Sequence, residues 1–386
     1  MTGATLAVVA ALPWIITPIV TAIRIKGSKS LDDESPVHPD DPPSLSVVIP
    51  ARNEAHNIER CVRSVLSNDY PHFDVVVVDD QSTDGTGDIA RAIAQTDTRL
   101  RVIETGAPPE GWFGKQWACD TGARSTKGEI ILFVDADTTQ SSDLMTRSVN
   151  AMRRRHADLF SVMGRQELGS FWERLIQPQM FSLLSIRYGG TESITKSRFV
   201  KDKIANGQCL FVKRSVYEEF GGHALVKSHV ADDMMLAQRF FERGKRVVIM
   251  EGTKQQTTRM YTSLSELING WGKNVFAGGR DSMPLGSFGQ IFFPPLLLSG
   301  PLIGLAPALV LVARVFFEFP EAVVLWAAIA QSALLIWWIA LYFKIEESPA
   351  YAVVAPLGAA MILYIFVRAA LRGQRVSWKG RSYVSS

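Results

Sequence analysis

The chain has 386 residues, a net charge of +3, 47% hydrophobic residues and three cysteines. A charge this small gives no basis for nucleic-acid binding. Cys61, Cys119 and Cys209 are too far apart for a zinc motif or a disulfide framework, and the length allows two or three structural units.

Hydrophobicity is concentrated at the two ends. Ala4 to Ile23 carries no charge and is about one membrane-spanning length. Arg24, Lys26 and Lys29 follow directly, and the basic leading region of a signal peptide is missing. Residues 1–26 therefore read as an anchor whose C-terminal flank lies in the cytoplasm. A cleaved signal is the alternative. Residues 27–44, rich in proline and acid from Asp32 to Ser44, read as a linker.

From Leu45 to about Gly252 apolar runs alternate with helical patterns. L-S-V-V-I-P-A is a buried strand, and Glu54 to Ser67 has helical spacing. F-D-V-V-V-V-D-D is a second strand, and Thr83 is placed to cap a helix running to about Thr96. R-L-R-V-I-E is a third strand, Lys115 to Ser125 a helix, and E-I-I-L-F-V-D-A-D a further strand. Near-continuous β-branched strands between helices predict an α/β fold with a mostly parallel sheet covered on both faces. Ligands of such sheets bind at the carboxyl ends of the strands. Gly85 to Ala90 matches the loose dinucleotide fingerprint, but Asp79, Asp80 and Asp84 would surround a pyrophosphate with negative charge.

The strand ends carry the candidate chemistry. Asp135 and Asp137, one residue apart, suit a divalent cation, because hard cations take oxygen ligands and often share them with substrate phosphates. A solvated acidic turn is the bland alternative. Asp79 and Asp80 could accept hydrogen bonds from a nucleoside, or cap the following helix. Asp232 and Asp233 open an amphipathic helix, where a carboxylate is favoured by the helix N-terminus. One of them could instead take the proton of an attacking hydroxyl. Gln256 and Arg259, in Q-T-T-R-M-Y, follow the last strand, and an arginine there suits a diphosphate.

Residues 261–288 precede the closing apolar region, with Trp271 and Lys273 suited to a helix in the membrane interface. Residues 289–370 hold three uncharged stretches: Ile291 to Ala313, Ala322 to Phe343 and Ala350 to Val367. Three crossings would put the basic tail, residues 371–386, on the side opposite the central domain, against the positive-inside rule. The proline-rich first stretch (Pro294, Pro295, Pro301, Pro307) is the one expected not to cross completely.

The order S-V-V-I-P-A-R-N-E, V-V-V-D-D-Q-S-T-D-G-T, G-E-I-I-L-F-V-D-A-D, A-D-D and Q-x-x-R resembles the family 2 glycosyltransferases. It is most similar to the membrane-bound branch that glycosylates lipids such as ceramides, carotenoids and hopanoids. The resemblance covers about Leu45 to Asn274. It implies a GT-A catalytic domain over residues 45–260, a UDP-sugar donor, and Mg2+ or Mn2+ as cofactor. It implies Asp80 near the uracil or ribose with Pro50, Arg52 and Glu54, and Asp79 beside it. It implies Asp135 and Asp137 at the metal and diphosphate, Asp233 as catalytic base with Asp232 adjacent, and Gln256 and Arg259 by the diphosphate and acceptor. G-W-F-G-K resembles a loop of the carotenoid and hopanoid-associated members, which makes Lys115 either a donor contact or a surface lysine. Met260 stands where the family has tryptophan, which bears on the acceptor.

The expected function is that of an inverting, metal-dependent hexosyltransferase. It would act in the cytoplasmic membrane on a lipid acceptor at the bilayer. A processive polysaccharide synthase and a non-catalytic membrane scaffold with the same fold are the two alternatives.

Overall fold

The computed structural model describes residues 2–281, 283, 286–373, 375–378 and 381–384. The chain divides into two compact units. One, built of helices, takes residues 1–27, 168–190 and 261–373; the other takes residues 28–167, 191–260 and the tail from 374.

In chain order, α1 (Gly3–Lys26) precedes β1 (Leu45–Ala51), α2 (Ile58–Leu66), β2 (Phe73–Asp79), α3 (Thr86–Ala94), β3 (Leu100–Glu104), α4 (Gly114–Arg124), β4 (Ile130–Val134) and the short β5 (Thr138–Gln140). After α5 (Leu144–Arg155), β6 (Leu159–Met163) and β7 (Arg165–Gln166) comes α6 (Phe171–Tyr188), part of the helical unit. The chain continues through α7 (Thr191–Lys196), β8 (Cys209–Lys213), α8 (Arg214–Glu219), α9 (Asp232–Glu242), β9 (Val247–Glu251) and β10 (Gln256–Thr258). Then follow α10 (Leu264–Asp281), α11 (Gly286–Ile291), α12 (Phe293–Ala313), α13 (Glu321–Lys344) and α14 (Ala355–Arg372). A hairpin of β11 (Arg375–Trp378) and β12 (Arg381–Val384) ends the described chain.

The main sheet has the order β3-β2-β1-β4-β8-β6-β9, with β8 antiparallel to both neighbours and the other pairs parallel. This is the mostly parallel α/β sheet expected from the valine-rich runs. Period two sorts their side chains. Val47, Ile49, Val75 and Val77 enter one core cluster, while Val48, Val76 and Val78 enter the other. Both faces are covered, and each buried valine contributes about 1.5–3 kcal/mol. Helix α4 approaches closely because Gly122 leaves room: a Cβ there would lie 2.4 Å from Val48 Cγ1 and 2.9 Å from Val78 Cγ2.

Register aligns the functional rim. Ala51 pairs with Asp79 across β1 and β2, so Arg52 and Asp80 emerge side by side. A second sheet, β5-β10-β7, sits just after the strand carrying Asp135 and Asp137, with Thr258 paired to Thr138.

Four local expectations change. Helix α3 starts at Thr86 after Gly85 at φ 91°, so Thr83 is not its cap. Asp84 Oδ1 accepts from Thr86 N–H at 3.1 Å instead. The proline-rich linker is fastened to α5: Arg147 Nη1 donates to the Glu34 carbonyl at 2.6 Å and Asn150 Nδ2 to the Val37 carbonyl at 2.9 Å. Trp271 does not face outward from α10; it is buried against Phe181 and Tyr261, at ring-centroid distances of 5.5 and 6.2 Å. The proline-rich stretch forms one continuous helix, α12, with Pro294 and Pro295 in its first turn, where no N–H is needed, and Pro301 and Pro307 inside it.

Among the described residues four helices, α1, α12, α13 and α14, are long and apolar enough to cross a membrane. Within the helical unit, α1 and α13 run in the same direction. A Cβ on Gly3 would lie 3.4 Å from Ala322 Cβ. At their other ends Arg24 Nη1 donates to the Ile186 carbonyl at 3.0 Å, and the Tyr342 hydroxyl to the Arg174 carbonyl at 2.9 Å. Both C-terminal ends therefore rest on α6. The start of α14 rests there too, through Gln179 Nε2 and the Ala355 carbonyl at 3.0 Å.

Candidate active site

β1 and β2 end in a tip that is held by its own side chains. Asn53 and Gln81 both adopt left-handed backbone conformations, φ 52° and 57°. Asn53 is stabilised there by Ser82 Oγ, which accepts from its N–H at 3.0 Å, and its Oδ1 accepts from Thr83 N–H at 2.9 Å. Arg52 Nη1 donates to the Asp80 carbonyl at 2.6 Å and to the Gln81 carbonyl at 3.2 Å. Asp79 Oδ1 accepts from Ser82 N–H at 3.0 Å, and Asp80 Oδ1 from the Thr105 hydroxyl at 3.2 Å. Both acids are buried. Pro50 is the one half-buried residue of β1, next to this tip.

β4 ends in the turn Asp135-Ala136-Asp137. The Asp135 carbonyl accepts from Thr138 N–H at 3.2 Å and from the Thr138 hydroxyl at 2.9 Å, which fixes the turn. Asp137 Oδ1 is buried and has no hydrogen-bond partner. Burial, then the nearby charges of Asp135 and Glu54, push its carboxyl up to about 7. Glu54 thus faces the metal candidates as well as the β1 tip, where its N–H donates to the Thr86 hydroxyl at 2.8 Å.

Lys115, at the start of α4, is not a surface lysine. Its Nζ lies 2.7 Å from Asp135 Oδ1. Burial alone would lower it, but the carboxylates of Asp135 and Asp232 overcome this and hold it well above the ordinary lysine value. The G-W-F-G-K loop is fixed to the segment before α9: Phe113 N–H donates to the Lys227 carbonyl at 2.8 Å, and Gln116 Nε2 to the His229 carbonyl at 2.7 Å. One loop contact thereby brings Lys115 to both Asp135 and the first turn of α9.

Asp232 and Asp233 open α9. Asp233 Oδ2 accepts from Gly207 N–H at 2.7 Å, and Oδ1 from Met234 N–H at 2.7 Å. Gly207 lies beside the metal candidates, because Asp135 N–H donates to the neighbouring Gln208 carbonyl at 3.4 Å. Burial raises the Asp233 carboxyl, offset in part by Lys115 and the two backbone N–H groups. Burial also raises Asp232, offset by Lys115 and reinforced by Asp233. His223 Nε2 lies 3.9 Å from Asp232 Oδ2, too long for a hydrogen bond. Burial pushes that imidazole down to about 3, so the contact is not an ion pair at neutral pH.

Gln256 lies on β10, fully buried, with neither amide atom hydrogen-bonded. One residue beyond the Thr258–Thr138 pair come Arg259 on one strand and Asp137 on the other. The short sheet therefore delivers the arginine of Q-x-x-R to the acid turn.

The structure gathers the sequence-derived candidates at one rim. Sequence reasoning missed Gly207, Thr105 and the buried His223. Asn206-Gly207 is a turn signal, but nothing in the sequence links it to Asp233. Among the described residues no cluster of three or more potential metal ligands occurs. Two carboxylates fit a divalent cation that also takes donor phosphates, and the partnerless oxygen of Asp137 supports the fit.

Residues 46–221 match the family model for glycosyl transferase family 2. The chain carries a glycosyl transferase family 2 domain. Similar proteins include a 4,4'-diaponeurosporenoate glycosyltransferase of Staphylococcus haemolyticus, 29% identical over 245 residues that cover 62% of this chain and 63% of that one. The protein of the same name from Staphylococcus aureus (strain USA300) is 27% identical over the same shares. The similarity thus spans less than two thirds of these relatives. A solved mannosyltransferase from Pyrobaculum calidifontis, in complex with GDP-Man and Mn2+, aligns over 96% of this chain and 98% of its own with a TM-score of 0.62 at 20% identity. The fold of the family 2 domain is GT-A.

Proposed function

We propose that the protein is an inverting glycosyltransferase. It transfers a sugar from a nucleotide-diphosphate donor, a UDP-sugar, to a hydroxyl of a membrane lipid. The observation that carries this reading is the set of acids at the carboxyl ends of the parallel strands, with Lys115 held by Asp135 and Asp232 among them. Asp80 follows β2, Asp135 and Asp137 share the turn after β4, and Asp233 opens α9, so the acids come from three separate segments, and Asp233 is fixed by two backbone N–H groups.

Each residue then has a task. Asp80, with Arg52 and Pro50, receives the nucleoside, and Lys115 and Arg259 take the diphosphate. Asp233 accepts the proton of the acceptor hydroxyl as its oxygen bonds to the anomeric carbon. The bond from that carbon to the β-phosphate oxygen breaks on the opposite face, and the nucleoside diphosphate leaves with the electron pair. Asp135 and Asp137 would hold a divalent cation, Mg2+ or Mn2+, which when bound supplies positive charge to the leaving diphosphate. Asp232 holds Lys115 electrostatically and keeps a proton more readily than a free aspartate does.

A lipid acceptor is supported by the apolar helices and by the names of the relatives, which act on a carotenoid acid by their description. In this reading α1, α12 and α13 cross the membrane, and the catalytic domain is cytoplasmic. α14 lies along the interface on the catalytic side. It is the least apolar and the most buried of the four candidates, and it packs on α6. The basic tail then stays with the catalytic domain, in accord with the positive-inside rule. Lipid mass spectrometry of cells with and without the gene tests the reading. A lipid heavier by one sugar, present only with the gene, supports it; no difference in any lipid counts against it.

A further inference from the structure

The C-terminal tail looks in sequence like a plain basic segment, yet it supplies a residue to the β1–β2 tip. Arg381 opens β12 and is paired across the hairpin with Trp378. Its Nη1 donates to Asp80 Oδ2 at 2.6 Å, and its Nη2 to Gln81 Oε1 at 2.5 Å. The Asp80 side chain is 3% exposed and that of Arg381 17%, so this is a shielded ion pair and not a contact between two solvated groups.

The geometry limits what Asp80 can do. An ionised carboxylate offers about four acceptor positions. Among the described residues Thr105 uses one on Oδ1 and Arg381 one on Oδ2, which leaves a position on each oxygen with its direction set. The planar guanidinium fork spans Asp80 and Gln81 together, so it fixes two neighbouring side chains at once. Arg52 grips the same two residues by their carbonyls. The tip is therefore clamped twice, from its backbone by a residue near the start of the domain and from its side chains by the tail.

We infer that Arg381 is a positioning residue of the donor site. Through Asp80 it presents oriented acceptor positions to the N–H and hydroxyl groups of the donor's nucleoside. This rests on the reading of Asp80 as the nucleoside contact. Arg381 acts on the nucleoside half of the donor only; the diphosphate half belongs to Lys115, Arg259 and the Asp135–Asp137 turn.

The test uses the full chain in detergent, titrated with UDP and separately with pyrophosphate, each with Mn2+. Arg381→Ala is expected to weaken UDP binding roughly tenfold or more, the usual loss for a hydrogen bond to a charged group. Pyrophosphate binding should not move, the donor KM should rise more than kcat falls, and Arg381→Lys should restore part of the loss. A folding defect would weaken both ligands. Unchanged UDP binding, or tighter binding of the kind a displaced blocking strap would give, overturns the inference. An equal loss for UDP and pyrophosphate overturns it as well. Asp80→Ala separates the two levels. If it leaves UDP binding intact, the nucleoside reading of Asp80 fails. If it weakens UDP while Arg381→Ala does not, that reading stands and only the role of Arg381 falls.

Discussion

Asp233 Oδ2 lies 2.7 Å from the Gly207 N–H, joining the first turn of α9 to the backbone beside Asp135. This bond aims the proposed base. Asp233→Asn keeps the shape but cannot accept a proton. It should lower kcat by at least about a hundredfold, the low end of what general-base catalysis contributes. UDP affinity should be preserved. Near-normal turnover by the variant would remove Asp233 from the role.

Gly207 has little room for a side chain. A Cβ would lie 3.1 Å from Asp233 Oδ2 and 3.2 Å from Asp233 Cβ. Gly207→Ala should displace the base, so kcat falls while donor KM and thermal stability change little. Full activity in this variant would mean that the position of Asp233 is not critical.

The pH dependence follows from burial. Burial raises the Asp233 carboxyl, with Lys115 and two N–H groups opposing it. A base with a raised value is protonated, and so inactive, at higher pH than a free aspartate. The acid limb of kcat should lie above the ordinary value of about 4. A limb at or below that value would contradict the assignment.

Asp137 gives a prediction for stability and metal. Its carboxyl is pushed up to about 7 in the folded protein. The folded value exceeds the unfolded one of about 4, so without metal the folded state loses stability as pH rises from about 4 to about 7. Asp137→Asn should remove that loss, giving a metal-free Tm above wild type at pH 8. Mn2+ should raise the Tm of wild type by more than that of the variant. Equal Mn2+ responses would exclude Asp137 as a ligand.

The membrane arrangement can be read by labelling. Single cysteines replacing Glu318, between α12 and α13, and Lys344, at the end of α13, should differ in intact cells. An impermeant maleimide should reach position 318 and not 344. Labelling of both, or of 344 alone, would refute three crossings with α14 in the interface.

Much of the fold was legible because its signals are local. The strand bounds of β1 and the acid-tipped end of β4 follow from valine-rich runs that stop at charge. Asp80, Asp135 and Asp137 were legible as candidates because acids at the ends of buried strands are conspicuous, Asp233 because it opens an amphipathic helix, and Lys115 only through the resemblance of its G-W-F-G-K loop. What sequence could not supply is what distant segments bring. Gly207 reaches Asp233 only after β8 is inserted beside β4. Arg381 reaches Asp80 across 301 positions. The four prolines of α12 suggested an interrupted crossing, but two sit in its first turn and the helix continues through the others. α6 escaped notice because its buried face includes Glu173, Gln177 and Gln179, which break the apolar pattern.

The central claim is sugar transfer to lipid with Asp233 as base. The most direct measurement incubates the purified full chain with Mn2+, a panel of UDP-sugars and extracted membrane lipids, and follows products by mass spectrometry. Wild type is expected to yield a lipid carrying one added sugar together with an equal amount of UDP, and Asp233→Asn neither. Transfer by Asp233→Asn at the wild-type rate, or UDP release by wild type with no glycosylated lipid from any donor, would contradict it.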